Sequence, residues 1–119
     1  MGLCDVEIEP EILQWLDSLT DREYGRVEQF VAILAENAET LGEPWSRHLG
    51  GGLRELRLHL HPRRVRITYW LAPGRRIILF TVFYKTQDRE IAEIERAGRV
   101  RKECQAEHGH ARTDYTREV

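Results

Sequence analysis

Polar and apolar positions along the 119-residue chain follow two periods. From Leu3 to Glu9 they alternate, with Cys4, Val6 and Ile8 on one side and Asp5, Glu7 and Glu9 on the other, which predicts a half-buried strand. Pro10 suits the first turn of a helix, and Ile12, Leu13, Trp15, Leu16 and Leu19 give that helix an apolar face ending near Ser18. Thr20 followed three residues later by Glu23 is a capping box. It predicts a second helix reaching about Leu41 and burying Val27, Phe30, Val31, Leu34, Ala38 and Leu41. Gly42, Pro44 and the run Gly50 to Gly52 mark a connecting loop.

Alternation returns after the loop. Leu53 to Leu60 sets Leu56, Leu58 and Leu60 against Glu55, Arg57 and His59; Arg63 to Leu71 sets Val65, Ile67, Tyr69 and Leu71 against Arg64, Arg66, Thr68 and Trp70. Short turns at His61-Pro62 and Ala72-Pro73-Gly74 join these segments, the second with the Pro-Gly order of a type II turn. Ile77 to Tyr84 is apolar on both sides and reads as a central strand. A third helix is expected from about Arg89 to Gln105, with Asp88 as its N-cap. The far edge of the meander needs a neighbour, and the first strand is the candidate. The expected fold is therefore α+β, in the order β-α-α-β-β-β-α. Its sheet has four strands, largely antiparallel, in the order 2-3-4-1, with both early helices on one face and a C-terminal helix. One domain over residues 1–107 would be followed by a flexible polar tail, 108–119.

Composition narrows the setting. With 41% hydrophobic residues the chain can bury one modest core, and no apolar run approaches the ~20 residues of a bilayer span. The acidic amino terminus lacks a signal pattern, and Cys4 and Cys104 cannot make a disulfide framework; a cytoplasmic protein without membrane association is expected. The net charge of −2 conceals a polarised chain. Met1 to Trp45 holds 2 Arg against 11 acids, whereas Ser46 to Lys102 holds 12 Arg and 2 Lys against 5. Such a basic block suits a polyanion or an acidic partner, or a solvated, salt-bridged surface.

Four pieces in register, Leu53-Arg54-Glu55-Leu56-Arg57, Arg66-Ile67-Thr68-Tyr69, Phe83-Tyr84-Lys85-Thr86-Gln87 and Glu90-Ile91 through Arg96-Ala97, resemble the RelE/ParE superfamily of bacterial toxins. The likeness is to its HigB-like, phage-derived branch and spans about Val6 to Lys102. Thr86 stands where that branch often has a second lysine, and Val82 where it has a glycine. The resemblance implies the toxin of a type II toxin-antitoxin pair, a ribosome-dependent mRNA endonuclease neutralised by a helix-turn-helix antitoxin. A gyrase-inhibiting toxin of the ParE type and a non-catalytic binding module are the alternatives.

Metal-free RNA cleavage needs a proton acceptor for the attacking 2′-hydroxyl, cations around the phosphate and a donor for the leaving oxygen. Arg66 and then Arg57 are the first choices for phosphate stabilisation, because a guanidinium holds two oxygens at once. Lys85 adds a point charge, and His59 is the candidate for proton transfer, against the ordinary reading of a surface histidine. Arg54, Arg64, Trp70 and Thr86 are expected to contact RNA, although Trp70 could equally sit under the third helix or in an antitoxin interface. As a surface residue, Arg66 should tolerate alanine without loss of stability. His108, His110 and Tyr115 are weaker candidates, known only by analogy with carboxy-terminal residues of some relatives. His59 and His61 share a strand face with no third ligand at a familiar spacing, and the glycine run precedes a strand, so neither a metal nor a nucleotide cofactor is expected.

Overall fold

The computed structural model of the protein describes residues 4–86, 90–106 and 113–114. Strand β1 (Asp5–Ile8) leads into helices α1 (Pro10–Asp17) and α2 (Asp21–Glu36). Four strands follow, β2 (Ser46–Gly50), β3 (Leu53–Leu60), β4 (Arg63–Ala72) and β5 (Arg76–Tyr84), then helix α3 (Glu90–Ala106) and the two-residue β6 (Thr113–Asp114). Pro10 opens α1, and the Thr20–Glu23 capping box opens α2 with both reciprocal bonds formed. The Thr20 backbone N–H, with Arg63 nearby, holds the Glu23 carboxyl below its usual range. Among the described residues no helix is long and apolar enough to cross a membrane.

The sheet runs β2-β3-β4-β5-β1-β6, with β1 parallel to β5 and every other pair antiparallel. The expected order of four is present as its centre, but the sheet has five strands before the short β6 is added. The missing member is β2, whose Ser-Arg-His-Leu-Gly sequence carries no apolar alternation. It is an edge strand, held by its backbone ladder to β3 and by the buried Ser46 hydroxyl, which hydrogen bonds the Tyr69 hydroxyl. Helix α2 also stops earlier than expected. The Asn37 backbone N–H turns onto Ile33 and Leu34, and its side chain donates to the Ile33 carbonyl at 2.9 Å, while Ala38 is buried from the turn beyond. Between β4 and β5, Gly74 takes the positive φ (82°) that a type II turn needs, and Arg75 extends the left-handed stretch (58°), so the turn is Pro73 to Arg75, one residue further along than expected. The expected N-cap Asp88 and the expected tail fall largely outside the described residues.

Each face of the sheet has its own cover. Ile12, Leu16, Val27, Phe30 and Leu34 from α1 and α2 pack on Leu56, Leu58, Val65, Ile67, Tyr69, Ile77 and Leu79. On the other face α3 brings Ala97 and Val100 onto Leu53, Trp70, Ala72, Ile78 and Phe80. Glu11 ties the layers together: its carboxylate accepts from the Val82 N–H at 2.9 Å and from Arg96 of α3, which also holds Glu93 at 3.0 Å. These bonds keep the Arg96 guanidinium more firmly protonated than an ordinary arginine, Glu11 contributing most.

Gly25 lies inside α2, and nothing stands within 4 Å of where a Cβ would project. Glycine in a helix interior costs roughly 0.5–1 kcal/mol relative to alanine. Gly25→Ala is accordingly expected to raise stability by about that amount, seen as a higher denaturant midpoint with an unchanged slope.

Candidate functional site

Strand register sorts the α3-side face of β3, β4 and β5 into rows. Leu53 and Trp70 pair with Ile78 beneath α3; Glu55, Thr68 and Thr81 form the next row; Arg57, Arg66 and Phe83 the third. His59 pairs with Arg64, and the Lys85 N–H donates to the Arg64 carbonyl at 2.9 Å, continuing the register so that Lys85 ends the fourth row. Side chains directly opposite stand about 5 Å apart and same-face neighbours along a strand about 7 Å. Arg57, Arg66, His59, Arg64 and Lys85 therefore occupy one patch. The apolar rows are covered by α3, and the cationic rows lie beyond its apolar contacts.

Lys85 reaches this patch because of a β-bulge. Thr68 pairs with Thr81 while Tyr69 pairs with Leu79, so Phe80 is an extra residue in β5. Ile78 and Phe80 pack under α3, Thr81 and Phe83 follow on that same face, and Val82 and Tyr84 join the core beneath α1 and α2. Strict alternation from Ile78 would have turned residue 85 inward.

Between the covered and cationic rows sits Glu55, 0% exposed. Its Oε1 lies 3.8 Å from Arg57 Nε and 3.7 Å from Arg66 Nε, making an Arg-Glu-Arg triad. Arg57 also reaches Glu43 at 3.5 Å, and Arg66 Nη1 donates to the Val65 carbonyl at 3.0 Å. Each guanidinium carries five N–H donors, so one edge can rest on Glu55 while others serve a phosphate. Thr68 and Thr81 hydroxyls bond each other at 2.6 Å and complete the buried polar row. An open cleft of about 360 Å³ adjoins the triad, lined by Arg57, His59, Arg64, Arg66, Phe30 and Trp45. Trp45 is 41% exposed, its ring 5.6 Å from that of Phe30.

A family model of phage-derived Gp49-like proteins (DUF891) matches residues 14–102. The chain belongs to that family. Its fold is that of the RelE toxins of the RelE/ParE superfamily. A double arginine-to-alanine variant of Escherichia coli toxin RelE in the free state superposes with a TM-score of 0.59 at 10% identity, over 81% of this chain and 94% of RelE. RelE in the RelE–RelB complex of Pyrococcus horikoshii gives 0.52 at 20% identity, over 72% and 99%. The intact E. coli RelBE toxin-antitoxin complex gives 0.53 at 8% identity, over 71% and 99%. No curated protein matches the sequence significantly.

In this Gp49-like protein the expected convergence of Arg57, Arg66, His59, Arg64 and Lys85 on one face is present in the register. Arg66, however, is only 6% exposed and part of the triad, which replaces the expectation of a dispensable surface arginine. Arg54 lies on the opposite face, where its Nη1 donates to the Ala38 carbonyl at 3.3 Å. Trp70 packs under α3 with Phe80 and Ala97, remote from the cationic rows, and so takes the second of its three expected placements rather than the RNA contact. Thr86 is exposed just past the end of β5. Tyr69 is in the core, where burial pushes its hydroxyl pKa up. His108, His110 and Tyr115 lie outside the described residues. Among the described residues no three His, Cys, Asp or Glu side chains gather as a metal site would require.

Two members of the site escaped sequence reasoning. Glu55 looked like an ordinary outward-facing strand residue, although a carboxylate alternating with Arg57 and opposite the Arg64–Arg66 strand was a signal of pairing. Trp45 follows Gly42 and Pro44 in the loop segment, where no alternation marks a face. Its backbone carbonyl accepts from the Arg57 N–H at 2.8 Å, and this contact with β3 brings the ring to the cleft.

Proposed function

We propose that this Gp49-like protein is the toxin of a type II toxin-antitoxin pair and cleaves messenger RNA on the ribosome. The observation that carries the reading is the pairing of Arg57 with Arg66 and of His59 with Arg64 at an open cleft. In the proposed reaction the 2′-oxygen attacks the adjacent phosphorus while its proton passes to a base, with His59 the nearest imidazole. The bond to the 5′-oxygen breaks, that oxygen takes a proton, and a 2′,3′-cyclic phosphate remains. Arg66 and Arg57 neutralise the phosphorane oxygens, an electrostatic contribution that grows as charge accumulates there. Arg64 and Lys85 hold the neighbouring backbone, and Thr86 stands beside it.

RelE proteins have been solved together with RelB antitoxins. A cognate antitoxin, expected to carry a helix-turn-helix domain, would supply carboxylates to the same basic face and compete with RNA for it. Brief expression without that partner is expected to arrest growth with cuts in ribosome-bound messages, mapped as new 5′-hydroxyl ends. Intact messages accompanied by a DNA-damage response would replace this reading with gyrase inhibition, and harmless expression would leave only a binding module.

A further inference from the structure

A second cleft, of about 660 Å³, lies beside the first, between the N-terminal half of α2 and the end of β3. Its walls include Arg22, Arg26, Gly25, His59 and His61. Three features make it more than a surface hollow. Arg22 and Arg26 are the only Lys or Arg residues among the first 45 of the sequence, a segment otherwise carrying 11 acids, and both line this cleft. They are four residues apart and therefore on one face of α2. Gly25 occupies the wall between them, where a side chain would project into open space, although glycine weakens a helix.

The two clefts adjoin at His59. His59 lines both, and the Arg26 guanidinium lies 5.0 Å above the Phe30 ring, which meets Trp45 in the first cleft. Asp21 and Glu23 also border the second cleft, but the Glu23 carboxylate is occupied by the Thr20 N–H at 3.0 Å and by Arg63 at 3.1 Å. Cations alternating with an exposed aromatic are what a single-stranded nucleic acid uses, phosphates on the former and a base on the latter. An acidic peptide would make no use of the Trp45 face.

We propose that the second cleft is the continuation of the substrate path. RNA leaving the Arg57–Arg66 centre passes His59, stacks a base at Trp45, and sets its next phosphates on Arg22 and Arg26, with His61 at the edge. The inference rests on the nuclease reading and extends it to an extended single-stranded substrate of several nucleotides.

The probes are 2′-O-methyl oligoribonucleotides of two and five nucleotides, in adenosine and uridine series, which bind but cannot undergo attack. The wild-type protein is expected to hold the pentamer about a hundredfold more tightly than the dimer, the scale of two charge-assisted phosphate contacts. Combined Arg22→Ala and Arg26→Ala should remove that gain and lower the salt dependence of log K by about 1.4, two single-strand phosphates. Gly25→Gln, which keeps both arginines, should also weaken the pentamer by filling the wall. Undiminished pentamer binding by the double variant overturns the path alone, provided Arg57→Ala with Arg66→Ala still abolishes dimer binding in protein shown to be folded by circular dichroism. Should that second pair leave dimer and pentamer equally well bound, the nuclease reading fails and the path with it. Equal displacement of the pentamer by pentaglutamate, dependent on Arg22 and Arg26, would make the cleft a protein-docking site and overturn the proposal.

Discussion

Arg66→Ala is expected to lower ribosome-dependent mRNA cleavage by about 10²–10³-fold, the range seen when one preorganised donor to a developing oxyanion is removed. It should also cost stability, by about 2–3 kcal/mol, because Arg66 is a nearly buried partner of the fully buried Glu55. Arg57→Ala separates the two effects. Its side chain is 23% exposed, so cleavage should fall by a similar factor while stability falls less. Single-turnover cleavage of a programmed ribosome, with thermal unfolding of the same preparations, reads both quantities. Full cleavage by a folded Arg66→Ala protein would remove the phosphate-stabilising role assigned to this residue.

The largest effect on folding is expected from Glu55→Gln. Removing the charge leaves Arg57 and Arg66 facing each other across β3 and β4 without the carboxylate between them. Loss of one partner from a buried ionic group costs about 3–5 kcal/mol, a large share of the roughly 5–15 kcal/mol that holds a domain together. The midpoint of urea unfolding should fall accordingly. Replacing all three members with apolar residues of similar volume, Glu55→Leu with Arg57→Met and Arg66→Met, should recover most of that stability and none of the cleavage. If Glu55→Gln is as stable as the wild type, the triad does not hold the arginines.

Much of this architecture is written in the alternation. The capping box at Thr20, the hairpin at His61-Pro62 and the parity of Arg57, His59, Arg64 and Arg66 all emerge from residue order, because each depends on local geometry. What was not legible depends on cover and on register. Whether Trp70 faces water depends on where α3 lands, and whether Arg66 does depends on its engagement with Glu55; period-2 alternation names a face without saying what lies over it. Strand β2 was hidden because an edge strand gains its place from backbone bonds, which leave no mark on side-chain polarity. Arg54 was grouped with the other cations by charge, yet its parity in β3 is that of Leu56, and it points to the helices.

The extra residue at Phe80 lets β5 carry one more side chain than its partner strand while holding the parity of the residues that reach the cleft. Deleting it would leave Leu79 opposite Tyr69 and Thr81 opposite Thr68, close β5 into plain alternation and keep Tyr84 and Lys85 on their present faces, while taking one ring from beneath α3. Flattening the bulge without shortening the chain is the damaging change, because every residue beyond Phe80 would then exchange faces, turning Lys85 into the hydrophobic interior while sparing every arginine.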